Sequence, residues 1–151
     1  MSSYITNQDL IDRVGNDAAV QLTTDSGSTV DDDVITEVVN SSEGEVNGYL
    51  ARRYKVPVDL SAHADLAGTL KGFTLDIAEY RLRSRRQPVS DGVRTIREDA
   101  IKWLTAVSEG KVVLPAGITP ASTTSDSPMA VWGASPATAS RENMGVGGTN
   151  E

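Results

Sequence analysis

Cysteine is missing from all 151 positions. Disulfides, thiolate nucleophiles and cysteine-held zinc or iron–sulfur centres are therefore excluded, and assembly in a reducing compartment is the consistent reading. Histidine occurs once, at His63, between Ala62 and Ala64 in a connector. No serine or carboxylate pattern sets it into a triad, so it reads as a surface residue. The GxGxxG, P-loop and HExxH signatures are absent too. The opening residues carry no apolar run, since Tyr4 and Ile5 are followed at once by T-N-Q-D. That predicts neither a secretory signal nor a transmembrane span. The chain is accordingly expected to be neither an enzyme nor a holder of metal or cofactor.

The length is that of one domain, enough to bury a core without staples. The net charge of −7 is unevenly spread. Residues 1–60 carry eleven acids and four bases, residues 61–110 seven acids and eight bases, and the remainder three acids and two bases. An acidic first half speaks against a general nucleic-acid binder. Two readings of the asymmetry stay open: docking of identical subunits, acid-rich flank on Arg-rich flank, or ordinary solvated helix faces.

Helical periodicity dominates. Thr6 is a good N-cap with Asp9 at N3, Leu10, Ile11 and Val14 form a short stripe, and Gly15 ends it. Asp17–Leu22 adds one more turn, and T-T-D-S-G-S-T at Thr23–Thr29 is a loop by composition. Asp31–Asp33 open a second, longer helix, where acids suit the dipole. Its expected inner face is Val34, Ile35, Val38, Val39, Ser42, Val46, Tyr49 and Leu50, running to about Tyr54 before Pro57. Gly48 costs about 1 kcal/mol against alanine in mid-helix, which predicts a close crossing with the next helix. That helix carries Leu66, Leu70, Phe73, Ile77 and Tyr80. Ser90 caps another, with Val93, Ile96, Ala100, Trp103, Leu104 and Val107 facing in and Gly110 at its end. The predicted fold is thus all-α: three main helices plus a short N-terminal one over residues 1–110, then an extended C-terminal arm over residues 111–151. The arm is rich in Ala, Ser, Thr, Gly and Pro, cannot build its own core, and is expected to be ordered by partner chains.

Three constellations invite a ligand. Asp25 followed by Asp31–Asp33 fails the calcium-loop spacing, because positions 3, 6 and 12 counted from Asp25 are Gly27, Val30 and Thr36; the acids are better explained by the helix start. Arg81, Arg83, Arg85 and Arg86 cluster at one helix end, with Arg94 and Arg97 in the next helix. They fit either dipole-complementing surface residues or a subunit or lumen contact, and the cluster as a whole favours the contact. In the arm, Met129, Val131 and Trp132, together with Val112, Val113 and Leu114, are the candidate partner-binding residues. A tryptophan outside any core is a typical interface anchor.

Y-I-T-x-x-D-L-I-x-R-V-G at Tyr4–Gly15, V-N-G-Y-L-A-R-R-Y-K-V-P at Val46–Pro57, D-I-A-E-Y-R-L at Asp76–Leu82, and A-I-K-W-L at Ala100–Leu104 with G-K-V at Gly110–Val112 occur in this order. Together they resemble a family of Mu-like phage and prophage proteins, similar to the helical head-to-tail adaptors of long-tailed phages. The resemblance covers about three-quarters of the chain; the connector Asp59–Asp65 and the tail from Ala116 depart from it. It implies a subunit of a homo-oligomeric ring, of twelve copies, beneath the portal protein in the virion neck, assembled in the host cytoplasm. The implied neighbours are the portal protein and a stopper or tail-terminator protein. Genomic DNA would pass through the lumen without sequence-specific binding, and no membrane is involved. The rival readings are another head- or tail-completion protein, which would tend to be sheet-rich, and a DNA-binding packaging or regulatory protein.

Overall fold

Side-chain caps set where three of the helices begin. Thr6 Oγ1 accepts the Asp9 N–H at 3.2 Å while the Asp9 carboxylate accepts the Thr6 N–H at 2.9 Å, a reciprocal capping box. The Asp31 carboxylate accepts N–H groups of Asp33 and Val34 at 3.1 and 3.3 Å, and Ser90 Oγ accepts the Val93 N–H at 3.5 Å. The computed structural model describes residues 4–121. They form five α-helices: α1 (Asn7–Val14), α2 (Asn16–Thr23), α3 (Asp32–Leu50), α4 (Ala64–Ser84) and α5 (Asp91–Ser108). There is no β-strand among the described residues, and the all-α expectation holds. The segment expected to add a single turn is a full helix, α2, divided from α1 by Gly15 at φ +86°.

The central pair is α3 and α4, running antiparallel. Ile35, Val38 and Val39 from the first half of α3 pack with Leu75, Ala78 and Leu82 from the second half of α4, under Ile5, Leu10, Val14 and Leu22. Val46 and Leu50 pack with Leu66 and Leu70 at the other end, under Ala100, Leu104 and Val107 of α5. Each fully buried aliphatic side chain contributes about 1.5–3 kcal/mol, so the two clusters hold the bundle. Phe73 and Trp103 close its flank, rings tilted and 4.9 Å apart.

Three sequence expectations need correction. Ile96 is 45% exposed, because α5 touches the bundle through its later turns, at Ala100, Leu104 and Val107. Gly48 makes no close helix crossing: a methyl placed on it would meet nothing within 4 Å. The inner face of α3 also includes Glu43, which is buried and accepts the N–H groups of Tyr4 at 2.7 Å and Ile5 at 3.1 Å.

The helical unit does not stop at Gly110. Leu114 and Ile118 are buried in the same core cluster as Leu50 and Leu104. The Leu114 N–H donates to Tyr54 Oη at 3.0 Å. Beyond Leu50 the helical ladder makes one closing turn, Tyr54 N–H to Leu50 O at 2.9 Å. The chain then pairs antiparallel with its own later segment, Tyr54 against Pro120, through Lys55 N–H to Thr119 O (2.9 Å) and Ala121 N–H to Arg53 O (2.8 Å). Residues 111–121, expected at the root of an arm, therefore lie on the bundle.

Candidate functional site

The arginine cluster is largely occupied within the chain. Arg81 reaches Glu45 on α3 through Nη2 at 2.6 Å and Nε at 3.2 Å. Arg97 on α5 reaches the other oxygen of the same carboxylate at 2.9 Å, with its guanidinium 4.9 Å from the centre of the Tyr80 ring. Glu45 is thus the tie between α3, α4 and α5. Arg83 pairs with Glu79 at 2.8 Å, and Arg86 reaches across to Asp25 at 2.6 Å. Arg13 on α1 bridges Asp76 at 2.7 Å and Glu79 at 3.1 Å. Burial pushes the Asp76 carboxyl above its usual range even though Arg13 opposes the shift. Half-exposed pairs of this kind contribute roughly 0.2–1 kcal/mol each. Their main effect is to set the orientation of α4 against its neighbours.

Among these arginines, only Arg85 has no carboxylate partner among the described residues. With Glu37, Ser41 and Arg81 it lines a depression of about 240 Å³. A paired guanidinium still has N–H donors to spare, so the cluster remains able to meet an acidic surface.

A second feature lies further along the same face of α3, where Glu45, Gly48 and Tyr49 follow Glu37 and Ser41 at helical spacing. Glu45, Gly48, Tyr49, Arg52, Thr105 and Ser108 line a depression of about 330 Å³ between α3 and α5. It adjoins another of about 510 Å³, bounded by Arg52, Arg53, Glu109, Pro120 and Ala121. Arg52 and Ser108 belong to both, so the two form one trough along the ends of α3 and α5. Gly48, read from the sequence as a helix-contact glycine, forms part of its floor.

Of the expected partner-binding residues, Val112 is half-buried against the core, Leu114 is buried within it, and Val113 is 74% exposed. Met129, Val131 and Trp132 lie outside the described residues. His63 occupies the N-cap position of α4 without a side-chain cap bond. Sequence reasoning missed Glu43 and Glu45. Their signal was an acid on or beside the apolar stripe of α3, where burial demands a partner.

No group of three His, Cys, Asp or Glu among the described residues is placed to hold a metal ion. No helix among them is long and apolar enough to cross a membrane. What fold and surface define is an all-helical domain, internally tied by ion pairs, with an arginine-lined flank and an open trough. Residues 4–131 match the family described as Bacteriophage Mu, Gp36, and the chain belongs to that family of phage proteins. The match runs through the connector Asp59–Asp65 and on to residue 131, so the connector and residues 116–131 belong to the family's span, and residues 132–151 lie beyond it. No curated protein matches the chain.

Proposed function

We propose that this protein is a structural subunit of the phage neck, a head-to-tail connector that forms a ring beneath the portal and carries no enzymatic activity. The observation that carries the reading is membership of a phage family over residues 4–131, joined to a small all-helical domain. The chemistry of the surface supports it. Glu45, Asp76 and Glu79 pair with Arg81, Arg97, Arg13 and Arg83, tying helices to one another rather than gathering around a reaction centre. What stays open, Arg85, the trough and the exposed Val113, is suited to contact with other protein. Ring symmetry multiplies modest contacts of that kind into a stable joint. Its neighbours in this reading are further copies of itself, the portal protein above, and a stopper or tail terminator below, with DNA passing through the lumen.

Deletion of the gene from an inducible phage tests this. Electron microscopy of the lysate is expected to show DNA-filled or emptied heads alongside separate, complete tails. Restoring the gene in trans is expected to restore joined particles containing the protein. Normal yields of joined, infectious particles from the deletion would refute the reading.

A further inference from the structure

The chain leaves the described domain in a defined direction. Because Thr119 pairs with Lys55 and Ala121 with Arg53, residues 119, 120 and 121 walk backwards past 55, 54 and 53. The next wall on that line is Arg52, which with Ser108 is shared by both halves of the α3–α5 trough. From the turn at Arg52 the trough follows the last turns of α3 from Leu50 back to Glu45, about 8 Å at 1.5 Å per residue. The four residues after Ala121 are Ser122, Thr123, Thr124 and Ser125. At roughly 3.3 Å each they reach at most about 13 Å, and none of the four carries a large apolar side chain. The first large apolar side chains are Met129, Val131 and Trp132. Trp132 stands eleven residues beyond Ala121, a reach of up to about 36 Å. A domain of this size has a radius of gyration near 13 Å, which for a sphere is a diameter of about 35 Å. That reach is long enough to carry the anchor past its own trough to a neighbouring copy.

We propose that Met129–Trp132 of one copy seats in the α3–α5 trough of the next copy. The floor at Gly48 is open, with nothing within 4 Å of an added methyl, and the depression of about 330 Å³ admits an indole ring. A tryptophan buries about 150–250 Å² when it finds such a seat. Glu45 and Glu109 line the trough beside Arg52 and Arg53; neither arginine forms a salt bridge with a described carboxylate, so both remain able to meet Asp126, which precedes Met129 by three residues. The family match includes Met129 and Val131 and ends one residue before Trp132. A contact between two different patches repeats head to tail and closes into a ring when the rotation allows. The inference rests on the ring reading and assigns the arm its socket.

The absence of cysteine makes the test clean. Gly48→Cys is sterically free, and Val131→Cys leaves Trp132 in place. Two chains, each with one of these substitutions and distinguished by a tag, are supplied together to the deletion phage, and purified particles are oxidised. The expected product on a non-reducing gel is a mixed dimer of one tagged and one untagged chain, lost on reduction. A chain with both substitutions is expected to give a ladder of multimers. A fast-migrating monomer in place of the ladder would mean that each arm fills its own trough and would overturn the assignment. So would particles that contain both chains and yield no mixed dimer. If the protein is missing from joined particles altogether, the ring reading is what fails.

Discussion

Leu114→Ala separates two accounts of where the helical domain ends. If residues from Lys111 onward were an arm, truncating Leu114 in the isolated protein would change stability by no more than about 0.5 kcal/mol, as for most surface positions. The structure places Leu114 at 4% exposure, in the cluster with Leu50, Leu104 and Val107. Removing three carbons from such a site costs about 2–5 kcal/mol through lost transfer energy and the cavity left behind. The backbone bond from Leu114 N–H to Tyr54 Oη restrains collapse of the chain into that cavity, which argues for about 3 kcal/mol. With an urea m-value of about 1.5 kcal/mol/M for an ordered domain of this size, the midpoint falls by about 2 M. Val113→Ala, next door and 74% exposed, is the internal control and is expected to stay within about 0.5 kcal/mol. Urea unfolding followed by far-ultraviolet circular dichroism reads both. Equal midpoints for the two variants would refute the placement of residues 111–121 on the bundle.

Tyr4→Phe removes the acceptor of the Val58 N–H (3.0 Å) and the donor to Asn47 Oδ1 (2.7 Å); leaving the buried Val58 N–H unpaired is expected to cost about 1–3 kcal/mol in thermal melts. Gly110→Ala forces a side chain into a residue at φ +79° and against the Arg53 guanidinium; the backbone term alone is about 1–2 kcal/mol, and a melting temperature unchanged from wild type would contradict that geometry. Stability should also depend on pH at both extremes. Burial raises the Tyr4 hydroxyl above its ordinary 10.0, so its contribution is full below that pH and is lost as the pH climbs through the higher folded value. The Lys71 ammonium, 2.6 Å away, lowers the Asp9 carboxyl below 3.8, so that contribution is full above 3.8 and disappears as the pH falls through the lower folded value. Urea midpoints across the pH range should show the alkaline loss reduced in Tyr4→Phe and the acid loss reduced in Lys71→Met. Trp132→Ala is expected to leave the melting curve of the domain unchanged while reducing the yield of joined particles at least tenfold; full yield would remove the anchor role.

What was legible in the sequence was local. Thr6, Asp31 and Ser90 cap helices because a short oxygen reaches an N–H two or three residues on, and no distant contact is needed. The stripes of α3 and α4 were readable for the same reason, since Val38, Val39, Val46, Leu66, Leu70 and Ile77 repeat with the helix. Ile96 obeys the same repeat and yet stands exposed, because periodicity gives a face and not the length over which another helix covers it. Residues 111–121 were misjudged by composition. Leu114 and Ile118 need no core of their own when Tyr54, some sixty residues earlier, helps to provide one. Gly48 shows the same limit at the candidate site. A glycine in mid-helix costs the same whether another helix approaches it or a groove opens over it, and only the fold says which. Glu45 was hidden too, since its partners Arg81 and Arg97 lie 36 and 52 residues away.

The short antiparallel pairing of residues 119–121 with 53–55 also decides how a tug on the chain would be carried. Residues 109–118 spring from α5, but the strain line does not return there. Force arriving beyond Ala121 meets first the bonds from Ala121 to Arg53 and from Thr119 to Lys55. These deliver it to the C-terminal end of α3, which like α4 contributes to both core clusters and is tied through Glu45 to α4 and α5. The peripheral helix is bypassed and the central one takes the load. A subunit wired in this way hangs from its keel.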